Sequence, residues 1–206
     1  MNETLYGVSS NPHVRDKSST QSIMLDVILA LLPATVFGIY IFGASAAVTI
    51  AVSIVTCVAA EYIYQKLMKQ KVSVSDLSAA VTGLLLALNL PAGVPFWMPV
   101  LGGLFAIIVV KQVFGGLGQN FMNPALGARC FLMISFAARM TTFTYDGVTT
   151  ATPLALLKAG KSVDLGNVFT GFIPGTIGET SAVLLLLGGA YLVLKKVISP
   201  LIPCIY

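Results

Sequence analysis

Charge is what this chain has least of. Only 10% of its 206 residues are Asp, Glu, Lys or Arg, against 56% hydrophobic residues, where a soluble domain carries about a quarter charged. Together with a mean hydropathy of +0.89, that excludes a soluble domain and indicates a polytopic helical membrane protein. Histidine is nearly absent: His13 is the only one, and it belongs to the N-terminal tail. The three cysteines, Cys57, Cys130 and Cys204, are far apart and form no CxxC or Cys/His ligand spacing. They read as inert thiols, which leaves no metal site. No catalytic triad or general acid is visible either. A secretory signal is missing too, because Glu3, His13, Arg15, Asp16 and Lys17 precede a first apolar run that lacks a small-residue cleavage site. The net charge of +4 does not signal nucleic-acid binding, since the basic residues sit beside helix ends.

What the chain has is apolar runs. The first, from about Ile23 to Phe42, and the second, from about Ala46 to Leu67, have the roughly 20 residues that cross a ~30 Å hydrocarbon core. A shorter stretch between Asp76 and Leu90 is closed by Pro91, Gly93 and Pro95. At 1.5 Å per residue it covers only about 22 Å, so it predicts a short or broken helix. Further runs follow from Phe96 to Phe114, from Phe121 to Ala138 and from Thr180 to Ile198. Gly115 to Asn120, linking two of them, is too short and Gly-rich for a conventional external loop.

Charge placement orients these runs. Arg15 and Lys17 put the N-terminus in the cytoplasm, and the second helix returns to Lys66, Lys69 and Lys71. Three more crossings place the polar interval between Arg139 and Glu179 outside, and the last run returns to Lys195 and Lys196. Tyr62, Tyr64, Phe96 and Trp97 suit interfacial anchoring. The expected organisation is a cytoplasmic tail (1–22), a membrane domain of about five helical segments (23–139), an extracytoplasmic loop (140–179), a sixth helix (180–198) and a short end (199–206).

Two cations lie at membrane depth. Lys111 is expected to snorkel to an interface. Arg129, in Asn123-Pro124-Ala125-Leu126-Gly127-Ala128-Arg129, is expected to face the protein interior at a broken helix. Asp26, Glu61 and Asp76 read as capping groups or partners of basic neighbours. Broken helices with an interior cation fit a small-solute channel or transporter as well as a redox subunit.

The external interval opens with Asp146-Gly147-Val148-Thr149-Thr150-Ala151-Thr152-Pro153-Leu154. Alone, this hydroxyl cluster reads as a solvated turn opened by Asp146-Gly147 and punctuated by Pro153. A second reading gives one Thr hydroxyl to a phosphoester, with Gly147 and Ala151 leaving room for a bulky attachment.

Several blocks in order resemble the RnfD/NqrB family of membrane flavoproteins. They are Asn11 to Asp16, Gly83 to Pro91, Lys111 to Gly118, Asn120 to Ala125, Asp146 to Leu154 and Gly171 to Ser181. The resemblance implies an all-α membrane protein built as an inverted repeat, urea-transporter-like, of which this chain carries a five-helix half, the extracytoplasmic loop and one helix of the second half. It implies FMN joined through its phosphate to Thr152, the Thr that follows Ala in the family's motif. Thr149, Thr150, Asp146 and Gly147 become its neighbours. Thr150 stands where the family often has Gly.

A second, noncovalent flavin (riboflavin or another) belongs to the full-length family fold, and no motif here locates it. The implied activity is that of a bacterial cytoplasmic-membrane complex, an ion-translocating oxidoreductase coupling electron flow between ferredoxin and NAD to Na⁺ or H⁺ movement. The implied partners are the other Rnf membrane subunits, especially the G-type FMN subunit and the A- and E-type subunits, within the lipid bilayer and without nucleic acid. The family pattern continues beyond Tyr206, so the chain reads as a C-terminally truncated member, with an inactive assembly fragment as the alternative.

Overall fold

Backbone polar groups in an apolar chain must find partners within the chain, and helices supply them. The computed structural model describes residues 19–145, 148–179, 181–201 and 205, apart from the Thr149 side chain. His13, Arg15, Asp16, Lys17, Asp146, Gly147, Thr180 and Cys204 lie outside the described residues. The chain is predominantly helical. Helices α1 (Thr20–Phe42) and α2 (Ala44–Leu67) are long and apolar enough to cross a bilayer. Four shorter apolar helices accompany them: α3 (Ser78–Leu88), α4 (Trp97–Gln112), α5 (Pro124–Ser135) and α9 (Ala182–Leu194). Between α5 and α9 lie α6 (Ala137–Met140), the strands β1 (Thr144–Tyr145) and β2 (Val148–Thr149), α7 (Pro153–Lys158) and α8 (Leu165–Thr170).

Helix α1 starts on a reciprocal cap. Ser22 N donates to Ser19 Oγ at 3.1 Å, and Ser19 N donates to Ser22 Oγ at 3.0 Å, which satisfies two first-turn donors. One residue, Gly43, turns α1 into α2 with φ 68° and ψ −151°, a conformation open essentially to glycine. Helix α2 then packs on α3 and α4 through small residues. A Cβ at Gly83 would fall 2.7 Å from Ile54 Cα, and one at Gly103 would lie 3.2 Å from Cys57 Sγ. Such close approach is the usual basis of helix association in lipid, where the hydrophobic effect cannot drive it.

Helix α3 stops early, and the break is closed by a distant segment. After Leu88 the chain turns, with Asn89 still in helical geometry and Leu90 N donating to Ala87 O at 3.0 Å, and Pro91 forms an isolated antiparallel bridge with Thr176. Ile177 N donates to Leu90 O at 3.0 Å, and Gly178 N donates to Leu88 O at 2.9 Å. Ser45 Oγ donates to the Ala92 carbonyl. The Leu88, Leu90 and Ala92 carbonyls at the break thereby find donors elsewhere in the chain. Leu88, Ala92 and Ile177 join Ala46, Ile50, Leu84 and Ala87 in one core cluster, so the crossing of the two segments lies at the centre of the packing.

Two elements differ from the sequence expectation. The run from Phe121 to Ala138 is two helices, broken where Phe136 leaves helical geometry at φ −135° and ψ 45°. The second half of α4, Phe105–Gln112, is wound as a π-helix, continued by i→i−5 bonds from Val113 N to Ile108 O and from Gly116 N to Lys111 O, both 3.0 Å. A π-turn brings successive side chains closer in direction than an α-turn, and such segments concentrate at functional sites. Here it turns both Lys111 and Gln112 toward α2.

Candidate functional site

Helix α2 carries a polar residue every fourth position: Thr49, Ser53, Cys57, Glu61 and Gln65. This spacing puts them on one face, and all five are buried. Glu61 is 1% exposed and Lys111 is 1% exposed. Lys111 Nζ donates to Glu61 Oε1 at 2.8 Å, to Glu61 Oε2 at 3.0 Å and to Ser78 Oγ at 2.6 Å. Gln112 Nε2 adds a bond of 2.7 Å to Glu61 Oε1. Ser78 in turn donates to Asp76 Oδ1 at 2.6 Å. The expectation that Lys111 snorkels is therefore corrected: a carboxylate fifty positions away holds it inside, at lower cost than an unpaired charge. Beside the pair, a cavity of about 170 Å³ is lined by Ser78, Thr82, Lys111, Asn120 and Asn123 among others. Asn120 Oδ1 is buried and has no hydrogen-bond partner among the described residues.

Arg129 lies at the helix break, as expected, but is less enclosed than Lys111. Its Nη1 donates to Asn89 Oδ1 at 2.5 Å and to Glu179 Oε1 at 3.1 Å. The Arg129 side chain is 29% exposed and that of Glu179 is 53% exposed. Asn89 also donates from Nδ2 to Leu85 O at 2.8 Å, which fixes its carbonyl oxygen toward the guanidinium. The cation thus joins the end of α3 to the segment before α9. Asp26 and Asp76 serve as the sequence suggests. Asp26 accepts from Tyr191 Oη at 2.8 Å and lies 3.8 Å from Lys195 Nζ, and Asp76 accepts from Ser78 N at 2.8 Å.

The threonine-rich loop occupies the end of the bundle that carries Gly93 and Tyr40. Strands β1 and β2 pair antiparallel, with Thr144 opposite Thr149 and Tyr145 opposite Val148. Thr150 N extends the pairing to Phe143 O at 3.1 Å, and its side chain is exposed. Two residues later, Thr152 is the N-cap of α7, where its half-buried hydroxyl accepts from Ala155 N at a long 3.4 Å. Pro153 at the first helical position pre-sets the helix and removes one donor. Asp146 and Gly147 lie outside the described residues, so Thr152 and Thr150 are the expected site residues whose side chains are described.

Neighbouring side chains in a strand point to opposite faces, and β1 accordingly separates two clefts. Thr144 faces one of about 310 Å³ with Gly93, Ala138, Arg139 and Thr142. Tyr145 faces another of about 290 Å³ with Tyr40, Ile41 and Phe172. Sequence reasoning found the threonines but not these clefts, whose walls come from α1, α6, the α3–α4 turn and the segment after α8.

The donor set at the loop fits a phosphoester. Thr152 Oγ is reachable, holds one weak bond and is flanked by exposed Ala151. Among the described residues no group of three or more His, Cys, Asp or Glu is placed to hold a metal.

Comparison with known proteins covers the whole chain. It is 53% identical over 215 residues to the D subunit of the Na⁺-translocating ferredoxin:NAD⁺ oxidoreductase complex of Acetobacterium woodii, covering 100% of this chain and 68% of that protein. Against the D subunit of the proton-translocating ferredoxin:NAD⁺ oxidoreductase complex of Clostridium ljungdahlii it is 41% identical, covering 98% of this chain and 66% of the relative. The D subunit of the ion-translocating oxidoreductase complex of Halorhodospira halophila is 35% identical, with coverage of 95% and 66%. The chain thus spans about two thirds of the length of these relatives. A sequence model of the NQR2, RnfD, RnfE family matches residues 7–206, and the chain belongs to that family.

Proposed function

We propose that this chain is the membrane-embedded D-type subunit of an ion-translocating ferredoxin:NAD⁺ oxidoreductase complex and carries FMN as a phosphoester on Thr152. The relationship to subunits of that name at 53% identity carries the reading. Thr152 is the hydroxyl that fits the attachment, being half-buried on an ordered helix cap with space beside Ala151. Thr152 Oγ would hold the flavin phosphate as an ester, giving up its proton as an activated flavin donor gives up its leaving group. Ala155 N, which donates to Thr152 Oγ at 3.4 Å, would be the backbone donor nearest the ester. Thr150, fixed through its backbone to Phe143, presents a second hydroxyl, with Thr149, Asp146 and Gly147 as the remaining neighbours. Bound there, the flavin supplies one- or two-electron chemistry, and the protein supplies position and electrostatics.

The helices form one half of an inverted-repeat, urea-transporter-like membrane fold. The segment closing the α3 break and α9 begin the other half. The partners are the other membrane subunits, among them the G-type flavin subunit and the A- and E-type subunits, in the bacterial cytoplasmic membrane. The Thr152 loop lies outside the cell, where it meets an extracytoplasmic electron donor or acceptor. A second, noncovalent flavin belongs to the complete fold.

In-gel fluorescence of the denatured protein tests this reading. Wild-type chain matured in cells that express its flavin-attaching enzyme gives a fluorescent band, Thr152→Ala gives none, and Thr150→Ala keeps it. A wild-type band without fluorescence overturns the electron-carrier reading. Solute uptake by flavin-free proteoliposomes favours the channel alternative, which the Arg129–Asn89–Glu179 contact at the broken helix supports.

A further inference from the structure

We infer that the cleft formed by Tyr40, Tyr145 and Phe172 is the resting site of the isoalloxazine ring of the flavin tethered at Thr152. The inference rests on that attachment. Three aromatic side chains from separate parts of the chain face this one cleft: the end of α1, strand β1 and the segment after α8. Tyr40 is 76% exposed and Phe172 is 48% exposed, so both side chains are accessible from outside.

The cleft is built rather than incidental. Gly171 turns the chain with φ 106°, and a Cβ there would strike Phe37 at 2.7 Å and the Ser181 backbone at 2.8 Å. Only glycine lets Phe172 follow so closely. Phe37 then supports the Phe172 ring edge-on, with centroids 5.7 Å apart, and stacks against Tyr40 at 6.5 Å.

The attachment residue lies close to the cleft along the chain. Thr150 N is bonded to Phe143 O, two positions from Tyr145, and Thr152 lies two residues beyond Thr150. At 3.8 Å between consecutive Cα atoms that step is at most about 7.6 Å. The assignment requires the five-carbon ribityl arm and the phosphate to span the distance from there to the cleft. A volume of about 290 Å³ falls just below the range for small-molecule sites, about 300–1,000 Å³. A planar, electron-poor ring system stacks on aromatic faces and accepts hydrogen bonds from phenol hydroxyls. The cleft on the other side of β1 has Thr142, Thr144 and Arg139 but no aromatic wall, so it does not match the ring.

Native flavin fluorescence, normalised to the denatured-gel band, tests the assignment. A phenol in contact with an excited flavin donates an electron to it and quenches its emission; a phenyl ring does not. The expected result is weak native emission from wild-type protein and several-fold stronger emission from Tyr40→Phe/Tyr145→Phe at equal loading. Phe172→Ala is expected to lower the anisotropy of the bound flavin and its visible circular dichroism. If the double variant matches wild type in native emission while loading is intact, the ring lies elsewhere and the inference fails. An unloaded wild-type chain instead overturns the Thr152 reading, and the gel distinguishes that outcome at once.

Discussion

Lys111 and Glu61 hold each other in the interior with three further polar groups around them, Ser78, Gln112 and Gln65. Removing one member leaves a buried charge without its counter-ion. Loss of one partner of a buried pair costs about 3–5 kcal/mol, whereas replacing both by neutral groups of similar volume costs far less. Lys111→Met and Glu61→Gln are therefore each expected to lower the thermal midpoint in detergent strongly. The double variant is expected to recover most of the loss. A double variant as unstable as the sum of the singles rules out mutual neutralisation as the role of the pair. The sequence showed Lys111 but not its partner, because contacts fifty residues apart leave no periodic trace. The trace it did leave is on α2: a polar residue every fourth position from Thr49 to Gln65 marks a face that avoids lipid. Arg129 was legible for a different reason, since the adjoining Asn123-Pro124 announces a helix start and hence a break.

At the scale of elements, the stop of α3 and the segment 176–178 form one device, and its tightest point is Gly178. A Cβ there would fall 2.6 Å from Leu88 Cβ, whereas nothing lies within 4 Å of the corresponding position at Gly175. Overpacking a tight contact costs about 1–3 kcal/mol. Gly178→Ala is expected to lower the thermal midpoint and to expose the 171–181 segment to protease. Gly175→Ala, in the same loop, is expected to change neither. Equal effects at both positions would show that the loop, not the crossing, sets the sensitivity. Helix positions were readable from apolar runs and from Pro91 and Gly93, since these act locally. The turn between β1 and β2 was readable, since Asp-Gly between two short runs is a local hairpin signal, but the π-wound end of α4 and the kink at Phe136 were not. Each is selected by contacts between elements, Lys111 and Gln112 with Glu61 in the first case, and not by the residues' own preferences.

At the scale of the molecule, the two ends of the bundle differ in charge. Lys66 lies in the last turn of α2, Lys69 and Lys71 follow it, and Lys195, beside Asp26 near the start of α1, is on the same end. The opposite end has Gly43, Gly93 and the Thr152 loop, with Thr144 Oγ1 beside Gly93. The fold thus gathers lysines from separate loops at one face, which is the arrangement retained in the cytoplasm. The lysines of the loop, Lys158 and Lys161, lie far along the polar interval, where charge weighs little in orientation. The proposed orientation puts the lysine-rich end in the cytoplasm and the threonine loop outside, and single cysteines test it. In a background with Cys57, Cys130 and Cys204 replaced by Ala, Lys158→Cys is expected to react with a membrane-impermeant maleimide on intact cells. Lys69→Cys is expected to react only after the membrane is opened. The reverse pattern would put the threonine loop in the cytoplasm and deny Thr152 any extracytoplasmic electron partner. Equal labelling of both positions in intact cells would mean that the chain does not hold one orientation. Neither result disturbs the packing described above, because orientation is fixed by charge during insertion and the helix contacts form within whichever topology results.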